Sequence, residues 1–250
     1  MLEIIEHNTI KELRLQRPPV NALNPALLEA LHEQICAVHK DSDSCSAVIV
    51  SGQPGMFTAG LDLPELLACS RDQMQGFWTL FHDLWRLLAT CPVPVVAAIT
   101  GHSPAGGTVL SVFCDYRIMA TGDYKIGLNE TRVGLVAPQP IYVALQRLLG
   151  ANAAERHIVS GELIGPERAL QLGLVDQLEA VDQVVPAAVA WCEQLASLPR
   201  NAMLGNRRMA RAELHHLFEQ ADDGSAFLDV WFDPATQQAL QQVVASLRKP

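Results

Sequence analysis

Two long segments of the chain carry apolar residues at helical spacing. The first begins at Asn24-Pro25, where Asn24 suits an N-cap and Pro25 the first helical position, and it runs to about residue 40. The second covers residues 71–90. Both patterns predict amphipathic helices that bury one face. The apolar positions are Leu27, Leu28, Leu31, Ile35 and Val38 in the first segment, and Phe77, Leu80, Phe81, Leu84, Leu87 and Leu88 in the second.

Short apolar runs bounded by turn residues predict strands, and they alternate with the helical segments. Such alternation is typical of an α/β fold with a mostly parallel sheet. Residues 101–105 are predicted to form a loop, and Gly106-Gly107 to open a helix that continues to Phe113. The predicted strands are residues 2–6, 10–15, 47–52, 94–99, 116–120 and 124–126.

The pattern after residue 139 is almost wholly helical, and Pro199 and Gly205 punctuate it. No strand is predicted from residue 200 onward. We therefore expect an α/β core over residues 1–198 and a helical segment over residues 199–250.

Composition narrows the class of protein. The 250 residues are 49% hydrophobic and 18% charged, so the chain can bury a sizeable core, and its net charge of -9 disfavours binding to nucleic acid or anionic membranes. The six cysteines form no Cys-x-x-Cys pair and are expected to be reduced thiols, not zinc ligands. The acidic N-terminal residues and the short apolar runs predict no targeting peptide and no membrane span. A cytoplasmic location is expected.

Two glycine turns and one acid carry the candidate chemistry. The turns surround Gly60 and Gly106, and the acid is Glu130. Glycine lets backbone N–H groups converge on one point, and two such donors stabilise a developing negative oxygen. A carboxylate beside them can move a proton on and off the carbon next to a carbonyl. These residues predict an enzyme that stabilises an enolate.

Each of these residues also has a plain structural interpretation. Taken alone, Gly60 and Gly106 could be ordinary turns, and Glu130 a solvated loop acid. Asp62 fits a helix N-cap better than a catalytic acid, because Leu63-Pro64-Glu65 follows it. Asn129 could contact a substrate or brace its loop.

Several segments together resemble the crotonase (enoyl-CoA hydratase/isomerase) family. The similarity extends along nearly the whole chain and is best from Pro19 to about Pro186, and within the family it is greatest to the mitochondrial-type Δ3,Δ2-enoyl-CoA isomerases. One segment alone is a weak signal, whereas their order and spacing together are specific. The segments are Pro19-Val20-Asn21, Phe57-Thr58-Ala59-Gly60-Leu61-Asp62-Leu63, Pro104-Ala105-Gly106-Gly107, Cys114-Asp115-Tyr116-Arg117-Ile118 and Ile126-Gly127-Leu128-Asn129-Glu130-Thr131.

The resemblance implies a crotonase-like spiral of ββα units with a C-terminal helical segment that helps build a homotrimer or a dimer of trimers. It implies an acyl-CoA thioester as substrate, with coenzyme A as part of that substrate, and no cofactor or metal. The backbone N–H groups of Leu61 and Gly106 are expected to form an oxyanion hole, and Glu130 to be the catalytic residue. The residues expected to contact the substrate or its coenzyme A part are Ala59, Gly60, Asp62, Leu63 and Asn129.

The resemblance also distinguishes between reactions. Hydratases of the family carry a second catalytic glutamate at the position of Val109, which cannot ionise or bind water. The predicted function is therefore Δ3,Δ2-enoyl-CoA isomerisation in fatty-acid β-oxidation, with Glu130 transferring the proton through a dienolate. The alternatives are another reaction of the family (hydratase, acyl-CoA hydrolase or decarboxylase) and a non-catalytic acyl-CoA-binding protein.

The surroundings of the acid leave further questions open. Arg17 could meet a coenzyme A phosphate or be a surface charge. An apolar pocket would raise the pKa of Glu130 above the usual value of about 4.3. The candidate walls of that pocket are Val109, Leu128, Val133 and Leu135, and Phe77, Trp78 and Phe81 could line an acyl tunnel or simply pack in the core.

Overall fold

The structure is a computed structural model that describes residues 1–219 and 224–247. Within these residues nine strands form two sheets, with strand orders β1-β2-β3-β5-β7-β9 and β4-β6-β8. The strands are β1 (Leu2–His7), β2 (Ile10–Leu15), β3 (Ala47–Ser51), β4 (Gly55–Met56), β5 (Val95–Ile99), β6 (Gly101–Pro104), β7 (Tyr116–Ala120), β8 (Ile126–Gly127) and β9 (Gln177–Glu179).

Helices connect and cover the sheets. In the described part of the chain, no helix is long and apolar enough to cross a membrane. The helices are α1 (Pro25–Lys40), α2 (Leu63–Leu66), α3 (Arg71–Ala89), α4 (Gly106–Val112), the 3-10 helix η1 (Glu130–Val133), α5 (Gln139–Leu149), α6 (Ala151–Ser160), α7 (Pro166–Leu172), α8 (Val184–Ala196), α9 (Arg200–Ala210), α10 (Ala212–Leu217), α11 (Ser225–Trp231) and α12 (Pro234–Leu247).

Three successive strand pairs divide between the two sheets. The first strand of each pair (β3, β5, β7) joins the large sheet, and the second (β4, β6, β8) joins the small one. β1 and β2 are antiparallel, whereas the other strand pairs run parallel. Parallel neighbours need crossover connections, and the helices that follow β4 and β6 supply them. The predicted α/β fold of ββα units with C-terminal helices is confirmed.

The large sheet is buried on both faces. On one face Val184, Ala188 and Cys192 of α8 pack against sheet residues such as Ile49 and Val96. The other face packs into the main core, which includes the buried sides of α1 and α3. Burial on both faces explains why β3 and β5 appear in the sequence as continuous apolar runs.

Sequence patterns missed or misplaced four short strands. Residues 101–105 were predicted to be a loop, but Gly101–Pro104 is strand β6, and the strand predicted at 124–126 is Ile126–Gly127. Strands β4 and β9 were not predicted. β6 depends on tertiary contact, because an added Cβ on Gly101 would lie 2.0 Å from the carbonyl carbon of Gly55 on β4. Such close strand contact leaves no apolar period in the sequence.

A buried ion cluster fastens the C-terminal helices to the preceding part of the chain. Asp115 accepts hydrogen bonds from Arg207 at 2.8 Å and lies 3.1 Å from Arg211, and Arg211 also donates to the carbonyl of Phe113 at 2.6 Å. Burial raises the pKa of Asp115, but the two arginines outweigh it and hold that pKa below its usual value. The boundary at residue 199 and the role of these helices in oligomerisation stay predictions.

Replacing Asp115 with alanine is expected to cost about 3–5 kcal/mol of unfolding free energy, because it leaves the buried guanidinium group of Arg211 and the nearly buried one of Arg207 without their carboxylate. Denaturant titration measures the change. Asp123→Ala is the control, since Asp123 is 98% exposed and lies 3.7 Å from Lys125, and it should cost less than about 0.5 kcal/mol. Equal losses in the two variants would contradict the role of the cluster.

Candidate functional site

The turn around Gly60 is held by the loop that precedes α1. Thr58 donates its hydroxyl to the carbonyl of Asn21 at 2.6 Å and accepts from the N–H of Gly60 at 3.1 Å. The Asn21 side chain donates to the carbonyl of Phe57 at 3.0 Å, and the N–H of Ala59 donates to Val20 at 2.9 Å. The Pro19-Val20-Asn21 segment therefore fixes the shape of this turn.

A short parallel bridge aims the N–H of Leu61. Leu23 donates to the carbonyl of Gly60 at 2.8 Å and accepts from the N–H of Asp62 at 3.0 Å. Because alternate residues of an extended segment direct their backbone groups to opposite sides, the N–H of Leu61 points away from Leu23. No residue of the described chain accepts a hydrogen bond from it. This donor is free for a ligand.

The turn before α4 supplies the second donor. Ala105 has a φ of 46°, a left-handed value that is uncommon for a non-glycine residue, and its N–H donates to Gly127 at 2.8 Å. Gly106 is the first residue of α4, where the backbone N–H has no partner within the helix. No acceptor for this N–H is found among residues 1–219 and 224–247.

The two turns lie against each other. An added Cβ on Gly60 would be 3.3 Å from the nitrogen of Gly106, and one on Gly106 would be 3.4 Å from the Cα of Gly60. Gly60 also has a φ of 85°, which favours glycine. Leu61 and Gly106, whose N–H groups have no partner in the described chain, thus lie on two turns in direct contact, and we term the two N–H groups the donor nest. Two such donors aimed at one point can stabilise an oxyanion.

Glu130 lies on η1 and faces the same cavity. Its carbonyl accepts from the N–H of Leu135 at 3.0 Å, which fixes the turn, while its Oε2 is buried without a hydrogen-bond partner in the described chain. Burial raises the pKa of Glu130 to about 7, although a hydrogen bond to its own backbone N–H lowers it in part. Oδ1 of Asn129 is likewise buried and unpartnered there. A carboxyl group with a pKa near neutrality can both take and return a proton.

A cavity of about 590 Å³ contains these groups. Its volume falls in the range of ordinary small-molecule sites. Ala59, Leu61, Asp62, Leu63 and Asn129 line it together with Gly106 and Glu130, so the structure brings the predicted site residues to one place, with Gly60 between two of them in the chain. The apolar lining residues include Val109, Val133, Leu135, Ile141, Trp78, Phe81, Trp85, Phe227 and Val243.

Two expectations about the residues around Glu130, the pocket walls and the acyl tunnel, are met only in part. Val109, Val133 and Leu135 line the cavity, but Leu128 is buried elsewhere in the core and is not part of the lining. Trp78 and Phe81 also line it, whereas Phe77 lines a separate groove beside Cys69. A residue's position along a helix gives its face, but only the packed structure shows which part of that face meets the cavity.

Asp62 and Arg17 form an ion pair at the cavity wall. Asp62 caps α2 by accepting from the N–H of Glu65 at 3.1 Å, as its sequence position predicts, and its other oxygen lies 2.7 Å from Arg17. Arg17 also lies 3.3 Å from Glu65. Two carboxylates therefore already neutralise this arginine, which weakens the idea that it serves a phosphate.

Sequence reasoning missed Phe227 and Val243 as lining residues. Both belong to the C-terminal helices, far along the chain from Glu130, and no local pattern signals their position. All six cysteines are free thiols. Among the described residues, no group of three or more histidine, cysteine, aspartate or glutamate residues could hold a metal ion.

Comparison with known proteins gives a consistent picture. Residues 6–240 match the sequence model of the family described as Enoyl-CoA hydratase/isomerase. The chain is 34% identical to human "Enoyl-CoA delta isomerase 1, mitochondrial" over 240 residues, covering 95% of this chain and 80% of the relative. It is 35% identical to a "Probable enoyl-CoA hydratase" of Mycobacterium avium over 210 residues, covering 83% of this chain and 78% of that protein.

A solved structure agrees over the whole length. The crystal structure of human mitochondrial delta3-delta2-enoyl-CoA isomerase superposes with a TM-score of 0.90 at 32% identity, covering 99% of this chain and 98% of that one. An enoyl-CoA hydratase/isomerase family protein from Pseudomonas syringae gives a TM-score of 0.78 at 28% identity, covering 96% of each chain.

Proposed function

The chain belongs to the enoyl-CoA hydratase/isomerase family, and from that premise we propose that it is a Δ3,Δ2-enoyl-CoA isomerase. Membership implies an acyl-CoA thioester as substrate. The proposed reaction moves the double bond of a 3-enoyl-CoA into conjugation with the thioester, giving trans-2-enoyl-CoA. No cofactor is required in this scheme.

The observation that carries the proposal is a single available carboxyl group beside the donor nest. Among the described residues, the cavity lining contains two acids, Glu130 and Asp62. The carboxylate of Asp62 is already paired with Arg17 and accepts the hydrogen bond that caps α2. By the resemblance to the family, Val109, which is 2% exposed, stands at the position where hydratases carry a second catalytic glutamate. One carboxyl group suffices for an isomerisation, which consumes no water.

The proposed mechanism uses Glu130 first as a base and then as an acid. Its carboxylate removes a proton from the carbon next to the thioester, and the electrons move onto the thioester oxygen as a dienolate. The N–H groups of Leu61 and Gly106 stabilise that charge, and one such donor is worth roughly 3–4 kcal/mol. Protonated Glu130 then delivers the proton two carbons further along, which completes the shift and restores the carboxylate.

A direct comparison of substrates tests the proposal. Purified protein should convert 3-enoyl-CoA to conjugated 2-enoyl-CoA without added cofactor, and it should hydrate crotonyl-CoA at least about 10²-fold more slowly, since no second carboxylate positions water. Product identification by chromatography distinguishes the two reactions. Faster hydration than isomerisation would overturn the proposal.

Hydration is the second candidate, because a hydratase-named relative has an identity comparable to that of the isomerase-named one, although over a shorter part of the chain. The valine at position 109 weighs against it. The substrate comparison decides between the two, and coenzyme A binding without turnover of any thioester would instead favour a non-catalytic acyl-CoA-binding protein.

We expect the isomerisation rate to depend on one ionisation near neutrality. Because the pKa of Glu130 is raised to about 7 and the base must be ionised, kcat/KM should fall about tenfold for each pH unit below 7 and level off above it. Initial rates from pH 5 to 9 measure this profile. A profile that stays level from pH 9 down to pH 5 would contradict a desolvated base.

Several broader expectations stay proposals. We propose a role in fatty-acid β-oxidation, a cytoplasmic location and assembly as a homotrimer or a dimer of trimers. Light scattering on the purified protein tests the assembly. Fractionation of the source cells tests the location.

A further inference from the structure

We propose that Phe227, stacked on Trp78, forms the end of the acyl-binding arm of the cavity and sets the longest acyl chain that binds favourably. The inference rests on the acyl-CoA substrate of the proposed function, and it adds the residue that determines chain-length preference. It identifies a C-terminal residue of the same chain as part of the specificity pocket.

The cavity lining contains two chemically different groups of residues. The first group holds the backbone donors and the acid Glu130, with the Arg17–Asp62 ion pair. The second group is aromatic and aliphatic, and it comes from helices outside the glycine turns. Its members are Trp78, Phe81 and Trp85 of α3, Phe227 of α11 and Val243 of α12. A thioester held at the donors would direct its hydrocarbon tail toward these apolar residues, since burial of methylene groups is favourable there.

Trp78 is held in place from several sides. It is 3% exposed, and it meets Trp85 edge-on with ring centroids 5.3 Å apart. Behind it lies Gly224, where an added Cβ would come within 2.2 Å of the indole Cδ1. Contacts with Trp85 and Gly224 therefore restrain the indole, which forms one side of the arm.

Phe227 of α11 covers the indole of Trp78. Its ring stacks on Trp78 with a centroid separation of 3.9 Å and an interplanar angle of 12°. Phe227 is only partly buried, unlike Trp78, so it lies between the apolar arm and the outside of the molecule. Removal of this ring would extend the arm, whereas a larger ring would shorten it.

The acyl-chain length that the protein prefers can be measured from binding affinities, without turnover. Each methylene that enters an apolar arm should tighten binding about fourfold, and the gain should stop when the arm is full. Calorimetric titration of saturated thioesters from butanoyl-CoA to hexadecanoyl-CoA locates this break in the wild-type protein. The same series is then measured for Phe227→Ala and Phe227→Trp.

A matched control removes a phenyl ring at a site outside the cavity. Phe218 directly follows α10 and packs against Phe113 with ring centroids 5.8 Å apart, but it does not line the cavity. Phe218→Ala should therefore lower stability, as Phe227→Ala does, and leave the chain-length break where it is in the wild type.

The expected result is a break about two to four carbons later in Phe227→Ala, because the alanine leaves a ring-sized space, and an earlier break in Phe227→Trp. An unmoved break in both variants, or the same shift in Phe218→Ala, would overturn the proposal. The measurement is independent of catalysis. A shifted break in a protein that does not isomerise 3-enoyl-CoA would refute the proposed reaction alone, and isomerisation with an unmoved break would refute the role of Phe227 alone.

Discussion

Replacing Glu130 with glutamine lowers the rate of 3-enoyl-CoA isomerisation by about 10²- to 10⁴-fold, because the amide can neither accept nor return the transferred proton. The side-chain shape is kept, so acyl-CoA binding should change little. Steady-state rates and calorimetric binding on the same preparation separate the two effects. Full activity in Glu130→Gln would remove this residue from the mechanism.

The same substitution has a second expected effect, on stability. The pKa of Glu130 is about 7 in the folded protein and near 4.5 when unfolded, so between these values the folded state holds a proton that the unfolded state has lost. The linkage therefore lowers wild-type stability as pH rises through this window, by up to about 3 kcal/mol above pH 7. Glu130→Gln lacks this loss and should be more stable than the wild type at pH 8, with the difference shrinking toward pH 5.

Glu155→Gln is the control for both measurements. Glu155 is an exposed residue of α6 outside the cavity, so its variant should match the wild type in rate and in the pH dependence of stability. A stability difference between Glu130→Gln and wild type that does not vary with pH would show that the Glu130 carboxyl is not desolvated.

Replacing Gly60 with alanine is expected to reduce kcat by about 10²-fold or more, comparable to loss of an oxyanion donor. The new methyl group would lie 3.2 Å from the carbonyl oxygen of Pro104 and 3.3 Å from the nitrogen of Gly106, so the two turns must move apart. The effect should appear in kcat more than in KM, because the donors act mainly on the dienolate.

Gly55 provides a matched control for backbone strain. It has a φ of 87°, close to the 85° of Gly60, but an added Cβ there would meet nothing within 4 Å. Gly55→Ala should therefore share the conformational cost of about 1–2 kcal/mol and keep its activity. Similar losses of kcat in both variants would indicate that strain, not the geometry of the nest, causes the loss.

The elements with strong local signals could be predicted from the sequence. Asn24 caps α1 by accepting from the N–H of Leu27, and Pro25 opens that helix, as the pattern indicates. The continuous apolar runs of β3 and β5 identify buried strands, since both faces of the sheet are covered. β4, β6 and β9 could not be predicted, because they are short and take their pairing from distant neighbours.

The candidate site divides in the same way. Its residue types could be chosen from the glycine turns, the acid and the resemblance to a family. The environment of Glu130 could not be predicted from the sequence, since the raised pKa of this residue depends on burial by segments from several parts of the chain. The same limit applies to Phe227, whose place in the lining depends on how α11 packs on α3.

By itself, the sequence determined which chemical groups are available to the candidate site: the acid Glu130, the two glycine turns around Gly60 and Gly106, and a valine at position 109. Tertiary structure alone decided how these groups are placed. The bridge to Leu23 orients the backbone of Leu61, contact between Gly60 and Gly106 brings the two turns together, and burial raises the pKa of Glu130 to about 7. The physical reason is that residue identity is local, whereas donor direction, desolvation and cavity shape arise from contacts between segments distant in the chain.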